Sequence, residues 1–160
     1  MNKKELIKSL EDLNNRQKPE LYNVNDFKVW DKLGKQFTGD IWNDGKYIWK
    51  IECYSQLIKD LQPSVIFETG FNIGRSSCMF LNQSNKLVNK PVKFYSNDIH
   101  KRSLPNVELL QNEFDNFEFL LGDSKTLLPT YLKENNIKID FALVDGDHSY
   151  EGARVDCLSF

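Results

Sequence analysis

Short apolar runs alternate with longer helical stretches between residues 65 and 144 of this 160-residue chain. The apolar runs are Val65 to Phe67, Val92 to Ser96, Phe117 to Leu121 and Ile139 to Val144. Helical spacing fills the intervals, over Arg75 to Leu87, Leu104 to Phe114 and Lys125 to Asn135. Strands that alternate with helices of this length are typical of βαβ units, in which helices cover both faces of a parallel sheet. The pattern therefore predicts an α/β fold with four strands.

The first 46 residues follow a different pattern. Leu6, Leu10 and Leu13 are spaced as on one face of a helix, whereas residues 20–46 are rich in aromatic side chains and have no steady period. Helical spacing returns from Tyr47 and stops at Pro63. We therefore divide the chain into an N-terminal helix with an aromatic-rich cover segment over residues 1–46 and a sheet domain over residues 47–160.

Composition excludes several classes of partner. Charged residues make up 28% of the chain and the formal net charge is -2, so no broad positive surface for nucleic acid or an anionic membrane is expected. No apolar run approaches the roughly 20 residues that a membrane span requires. The three cysteines are widely spaced and odd in number, which argues against a disulfide framework. We expect a cytoplasmic protein.

The end of the sequence predicts an unusual sheet edge. Only residues 145–160 follow the fourth apolar run, and Tyr150 to Phe160 are spaced as a helix with no strand after it. The unpaired backbone groups of an edge strand pair readily with another chain. We therefore expect either that the sequence is a fragment or that a partner, such as a second copy of the chain, covers the fourth strand.

Polar residues follow each predicted strand, and ligands of open parallel sheets bind at that edge. The first loop, Glu68 to Ser76, has glycines at positions 70 and 74. This spacing is not the Gly-x-Gly-x-x-Gly of dinucleotide sites, and no Gly-Lys-Ser/Thr is present for a triphosphate. An acid beside the glycines suits a ligand with a cationic or hydrogen-donating part. Two glycines in a turn are also common for purely structural reasons.

Asp98 ends the second predicted strand, 30 residues after Glu68. An acid at this place can accept hydrogen bonds from both hydroxyls of a ribose, although it could instead be the N-cap of the next helix. Asp123 and Ser124, after the third strand, allow the same two interpretations. Taken together, the loops suit a nucleoside without a phosphate.

Four segments, VIFETGFNIGRSS, FYSNDIH, FEFLLGDS and IDFALVDGDHSYEGARVD, resemble in their order and spacing the class I S-adenosylmethionine-dependent methyltransferases. The likeness covers about residues 47–160 and is greatest to the branch with Asp-Gly-Asp-His-Ser-Tyr after the fourth strand. It implies a Rossmann-like parallel sheet whose first four strands lie in the order 3-2-1-4. Members of the family usually continue for three further strands.

The resemblance also implies which residues bind each part of S-adenosylmethionine. The methionine part would lie against Glu68, Gly70, Asn72, Gly74 and Ser76. The ribose and adenine would lie against Asp98, Ile99, Asp123 and Ser124. Asp145 would lie next to the methyl group and would act with His148, because histidine titrates near neutrality and suits a general base.

Alternatives remain for the fourth loop. Asp145 and Asp147 could simply form a turn and cap the next helix, and His148 could be a hydrogen-bonded structural residue. Asp145 could ligate a divalent metal, as in related O-methyltransferases, but a single carboxylate is insufficient for a hard cation.

The predicted function is methyl transfer to a small-molecule acceptor, and we expect the methylated atom to be an oxygen rather than a nitrogen. One alternative is a non-catalytic cofactor-binding or assembly module with the same fold. The other is a metal-dependent glycosyltransferase in which Asp145 and Asp147 hold the metal of a nucleotide sugar.

Overall fold

The computed structural model describes residues 2–14, 21, 27–33 and 45–160. Within these residues the helices are α1 (Lys3–Asn14), α2 (Gly45–Leu61), α3 (Arg75–Leu87), α4 (Leu104–Glu113), α5 (Ser124–Glu134) and α6 (Tyr150–Leu158). The strands are β1 (Val65–Thr69), β2 (Lys93–Asp98), β3 (Phe117–Leu121) and β4 (Phe141–Val144). Single 3-10 turns occur at Trp30–Leu33 and Lys101–Ser103.

The four strands form one parallel sheet in the order β3-β2-β1-β4. This confirms the predicted fold class and strand order. Along β1, Thr69 is paired with Asn97 of β2 on one side and with Val144 of β4 on the other. From β1 the chain adds β2 and β3 on one side, and it then returns to add β4 on the other side. The carboxyl ends of β1 and β4 therefore flank a topological switch point.

Side chains alternate between two cores along each strand, as the period of two requires. Ile66 and Phe94 face a core that includes Ile51 and Ile58 of α2 and Phe80 of α3. Phe67 and Tyr95 face the opposite core, with Leu128 and Leu132 of α5. The sheet is therefore covered on both faces, which explains why its strands read as continuous apolar runs.

Part of the predicted cover segment belongs to the core. Phe27 and Trp30 are buried, and their rings pack edge to face with centroids 5.4 Å apart. The guanidinium of Arg75, at the start of α3, lies 4.7 Å from the centre of the Trp30 ring. The other aromatic residues of this segment, Tyr22, Phe37 and Trp42, lie outside the described residues, and the division at residue 46 stays a prediction.

Element boundaries differ from the prediction by one or two residues in most places. β4 begins at Phe141, two residues after the predicted start at Ile139. Before it, the carboxylate of Asp140 accepts hydrogen bonds from the backbone N–H groups of Ser64 and Val65. Within the described residues, β4 is paired with β1 alone. None of the helices described here has both the length and the hydropathy of a membrane span.

Candidate functional site

The loops at the carboxyl ends of the four strands enclose a cleft of about 460 Å³. Most of the predicted site residues line it: Gly70, Asn72, Asp98, Ile99, Asp123, Ser124, Asp145 and His148. Three others do not: Glu68, Gly74 and Ser76 are outside its lining. Eight of the eleven predicted residues therefore lie around one cleft, and the other three are buried and do not line it.

Glu68 lies fully buried behind the first loop. One of its carboxylate oxygens accepts hydrogen bonds from the hydroxyls of Ser77 and Ser96, the second at 2.7 Å. Burial raises the pKa of Glu68 to about 7, hydrogen bonds from the neighbouring serines oppose this rise, and the charge of Asp145 adds to it. The carboxyl group thus connects α3 to β2 beneath the cleft.

The first loop requires glycine because another loop lies against it. Gly70 has φ +89°, and a Cβ there would overlap the backbone carbonyl of Asp145 in the β4 loop. Gly74 has φ +82°, and a Cβ there would overlap the ring of Phe71. The glycines therefore allow contact within the protein, between the β1 and β4 loops and beneath α3.

Asn97 and Asp98, at the end of β2, hold the neighbouring loops by hydrogen bonds. The carbonyl of Asn97 accepts from the N–H of Gly70 at 2.9 Å, and its side-chain amide donates to the carbonyls of Leu120 and Gly122, both at 2.9 Å. Sequence reasoning missed Asn97 as a site residue. The available signal was its place, since it directly precedes Asp98 at the carboxyl end of β2.

The carboxylate of Asp98 is buried and accepts one hydrogen bond on each oxygen. Oδ2 accepts from the N–H of Asn72 at 2.6 Å, and Oδ1 accepts from the N–H of His100 at 2.8 Å. Asp98 is not a helix N-cap, because Ser103 occupies that position before α4. Each oxygen keeps a second lone pair for another donor.

The β3 loop is shaped by its helix. Asp123 is the N-cap of α5, and its side chain accepts a hydrogen bond from the N–H of Lys125 at 3.0 Å. The hydroxyl of Ser124 donates to Oδ1 of Asp156 in α6 at 2.7 Å. The capping alternative therefore holds for Asp123, and both residues still line the cleft.

Asp145 and His148 form an exposed pair in the β4 loop. Nε2 of His148 lies 3.3 Å from Oδ1 of Asp145, and their side chains are 80% and 50% exposed. His148 is thus not a core residue, and its contact with Asp145 leaves both the structural and the catalytic interpretation open. Both side chains remain open to the cleft and to solvent.

Asp147 has the turn-forming role that the sequence allowed, but it does not cap the next helix, because Ser149 is the N-cap of α6. Its Oδ1 accepts from the N–H of Ser149 at 2.9 Å, and its Oδ2 forms an ion pair with Nζ of Lys125 at 2.8 Å. The hydrogen bond from Lys125 holds the pKa of Asp147 well below its usual range, and the same bond raises the pKa of Lys125. This ion pair joins the β3 and β4 loops at the cleft rim.

Three basic side chains of the β2 and β3 loops were not predicted. His100, Arg102 and Lys125 line the cleft. Each follows within four residues of a predicted site residue, Asp98 or Ser124. Their closeness in sequence to Asp98 and Ser124 was the available signal for these three residues.

A metal centre finds little support. In the part of the chain that the structure describes, no three His, Cys, Asp or Glu side chains are grouped so that they could hold an ion. The suggested metal ligand Asp145 has His148 beside it and no second carboxylate in such a group. The described residues therefore do not fit a hard divalent cation, which prefers six or more oxygen ligands.

A family model described as a methyltransferase domain matches residues 67–160, which is more than half of the chain. The chain belongs to this methyltransferase family. The match begins within β1 and includes all four loops of the cleft. No curated protein matches the chain. In this methyltransferase domain, the cleft at the switch point of the sheet is thus the candidate active site.

Proposed function

We propose that the protein transfers a methyl group from S-adenosylmethionine to a hydroxyl of a small-molecule acceptor. The observation that carries the cofactor assignment is the geometry of Asp98. Each carboxylate oxygen accepts one backbone N–H and keeps a lone pair for a further donor, and Asp98 lines the cleft. Two neighbouring acceptors held in this way suit the vicinal hydroxyls of a ribose.

The remaining lining fits the rest of the cofactor. Ile99 is a large apolar residue at the cleft and is 60% exposed, so the flat face of a purine would remove apolar surface from water. The volume of about 460 Å³ lies within the range of roughly 300–1,000 Å³ that is usual for small-molecule sites. A nucleoside therefore fits between the β2 and β3 loops.

The charge at the opposite end suits a sulfonium and an ammonium group. Asp145 lines the cleft with its side chain half exposed. Lys125 also lies on the rim, but Asp147 neutralises it at 2.8 Å. A phosphate ligand would find no free lysine in the first loop, where Arg75 packs on Trp30 instead. The arginine and lysine side chains of the lining, Arg102 and Lys125, are outnumbered by four carboxylates. These are Asp98, Asp123, Asp145 and Asp147, and the balance favours a cationic ligand over an anionic one.

S-adenosylmethionine supplies an electrophilic methyl group, and the residues of the chain supply position and a base. Nε2 of His148 lies 3.3 Å from Oδ1 of Asp145, and in the tautomer that carries its hydrogen on Nε2 the other ring nitrogen, Nδ1, is free to accept a proton. Nδ1 can then take the proton of an acceptor hydroxyl. A hydroxyl acceptor must lose its proton to a base, whereas a neutral amine acts as a nucleophile without one. The presence of a candidate base in the cleft therefore supports oxygen as the methylated atom.

Titration calorimetry with S-adenosylmethionine and with S-adenosylhomocysteine tests the cofactor assignment. We expect saturable binding of both, without added metal. Absence of heat at millimolar ligand, with a folded protein shown by circular dichroism, would refute it. A nucleoside diphosphate with Mn²⁺ serves as the contrasting ligand, and binding of that ligand alone would support a glycosyltransferase.

Transfer is tested separately with labelled S-adenosylmethionine and a panel of matched small phenols, alcohols and amines. We expect label in hydroxyl compounds, with a rate that depends on His148. Cofactor binding without transfer to any acceptor would favour the non-catalytic module.

A further inference from the structure

A second acid of the β4–α6 region lies beneath the cleft and does not line it. Asp156, in α6, is completely buried. Its Oδ1 accepts the 2.7 Å hydrogen bond from the hydroxyl of Ser124, the first residue of α5. The buried carboxylate is therefore attached to the β3 loop of the cleft.

The other oxygen of Asp156 lies against the β4 loop. A Cβ built on Gly146 would be 3.1 Å from Oδ2 of Asp156 and 3.3 Å from the hydroxyl oxygen of Thr69. Neither of these two buried oxygens has a hydrogen-bond partner among the described residues. Gly146 thus packs directly on the carboxylate, between the cleft residues Asp145 and Asp147.

The energetics indicate a geometric role for Asp156. A carboxylate removed from water loses solvation that one hydrogen bond does not restore, so such groups are poor sources of stability. The position of a buried group is nevertheless well defined, because the surrounding packing is dense. One rigid side chain therefore fixes the distance between Ser124 and Gly146.

The same two loops are also joined at the surface by the Lys125–Asp147 ion pair, whose side chains are both exposed. Exposed pairs are weak and are screened by salt. The buried link through Asp156 is screened much less. It is therefore the more rigid of the two connections.

We propose that Asp156 is a positioning residue for methyl transfer: it holds the β3 and β4 loops together and thereby sets Asp145 relative to the rest of the cleft. The inference rests on the proposed function, since Asp145 acts only if methyl transfer occurs there. The backbone N–H of Asp145 donates to the carbonyl of Thr69 at 3.1 Å, so the loop is attached at its start, and Asp156 supports the next residue.

Four variants test this: Asp156→Ala, Asp156→Asn, Ser124→Ala and the control Thr69→Val. Asp156→Ala should lower kcat by about 10- to 100-fold, because a displacement on the order of 1 Å in a site has effects of this size. Asp156→Asn should restore most of kcat, since its amide oxygen still accepts from Ser124. Thr69→Val removes the other unpartnered oxygen near Gly146 and should leave kcat unchanged.

Coupling between the variants separates positioning from simple stability. The two substitutions Ser124→Ala and Asp156→Ala are combined in a double variant. If Asp156 acts through Ser124, this double variant should have nearly the kcat/KM of Asp156→Ala alone. Fully additive losses would overturn the proposal, as would an Asp156→Ala protein with lowered Tm and unchanged kcat. Should Asp156→Ala fail to fold, Asp156→Asn and Ser124→Ala still test the link, with loss in the second and retention in the first.

Amide hydrogen exchange gives a readout that requires neither cofactor nor acceptor. In Asp156→Ala, amides of residues 122–126 and 145–149 should exchange several-fold faster than in the wild type, with Thr69→Val unchanged. Equal exchange in both loops would overturn the positioning role. A wild type that binds no S-adenosylmethionine would refute the proposed function and leave this measurement interpretable.

Discussion

The backbone N–H of Asn72 donates to Oδ2 of Asp98 across 2.6 Å, so the acid best placed for the cofactor also shapes the glycine loop. Asn72 has φ +52°, an uncommon conformation for a residue other than glycine. The carboxylate that stabilises this backbone conformation lines the cleft at the same time. Ligand binding and loop conformation are therefore expected to change together when Asp98 is replaced.

Asp98→Asn should weaken binding of S-adenosylhomocysteine by roughly 10- to 100-fold, since hydrogen bonds to charged groups contribute about 1.5–3 kcal/mol. The variant should also unfold at lower temperature, because an amide has a single accepting oxygen, so the backbone N–H of either Asn72 or His100 loses its acceptor. Calorimetry and thermal unfolding measure the two effects. The matched control is Asp115→Asn, which makes the same change at an exposed acid that does not line the cleft. This control should behave as the wild type. Unchanged affinity in Asp98→Asn would remove Asp98 from the site.

Gly70→Ala should destabilise the fold by more than the conformational cost of about 1–3 kcal/mol for a side chain at positive φ. The added Cβ would overlap the carbonyl of Asp145, which is backbone and cannot rotate away. Urea unfolding measures the loss. Gly122→Ala is the comparison, because its Cβ would lie 2.8 Å from the flexible end of Leu127. Equal losses in the two variants would contradict the role given to the β4 loop.

The loop that contains Gly70 was predictable from the sequence, but the contact that requires a glycine there was not. The spacing of Gly70 and Gly74 correctly indicated a tight loop at the carboxyl end of β1. That the neighbour of Gly70 is the Asp145 carbonyl depends on the pairing of β1 with β4, which joins Thr69 to Val144. Contacts between residues so far apart are set by topology, and no local pattern contains them.

The β3 loop shows the same division between local and distant interactions. Asp123 before a helical stretch has the pattern of an N-cap, and it caps α5. The bond from Ser124 to Asp156 joins residues 32 positions apart and was not predicted. The apolar runs indicated the strands, because burial on both faces of a sheet demands apolar residues, whereas the hydrogen bonds between loops depend on the tertiary structure.

The burial of Glu68 predicts a dependence of stability on pH. Its pKa is raised from an ordinary value of 4.5 to about 7 in the folded protein, so the folded state binds this proton more tightly than the unfolded state. Folding therefore takes up a proton between these values. The contribution of this group to stability is greatest below about pH 4.5, falls as pH rises towards 7, and changes little above that.

Glu68→Gln, which resembles the protonated acid, should flatten that part of the profile. For one proton, the difference in slope between wild type and variant is at most about 1.4 kcal/mol per pH unit. Urea unfolding at a series of pH values between 5 and 8 measures it. Glu134→Gln, at the exposed end of α5, should follow the wild-type profile. Parallel curves for wild type and Glu68→Gln would mean that Glu68 does not retain its proton on folding.

His148→Ala should lower kcat for hydroxyl acceptors by about 10²- to 10⁴-fold, the usual contribution of a general base. Stability should hardly change, because the side chain is 80% exposed and its described partner is Asp145 alone. His100→Gln is the natural control, since His100 is the other histidine of the chain and also lines the cleft. S-adenosylhomocysteine should bind all three proteins with similar affinity. If His100→Gln lost activity and His148→Ala kept it, the base would have to be assigned to the β2 loop, because the pair formed by Asp145 and His148 would then be dispensable for proton removal.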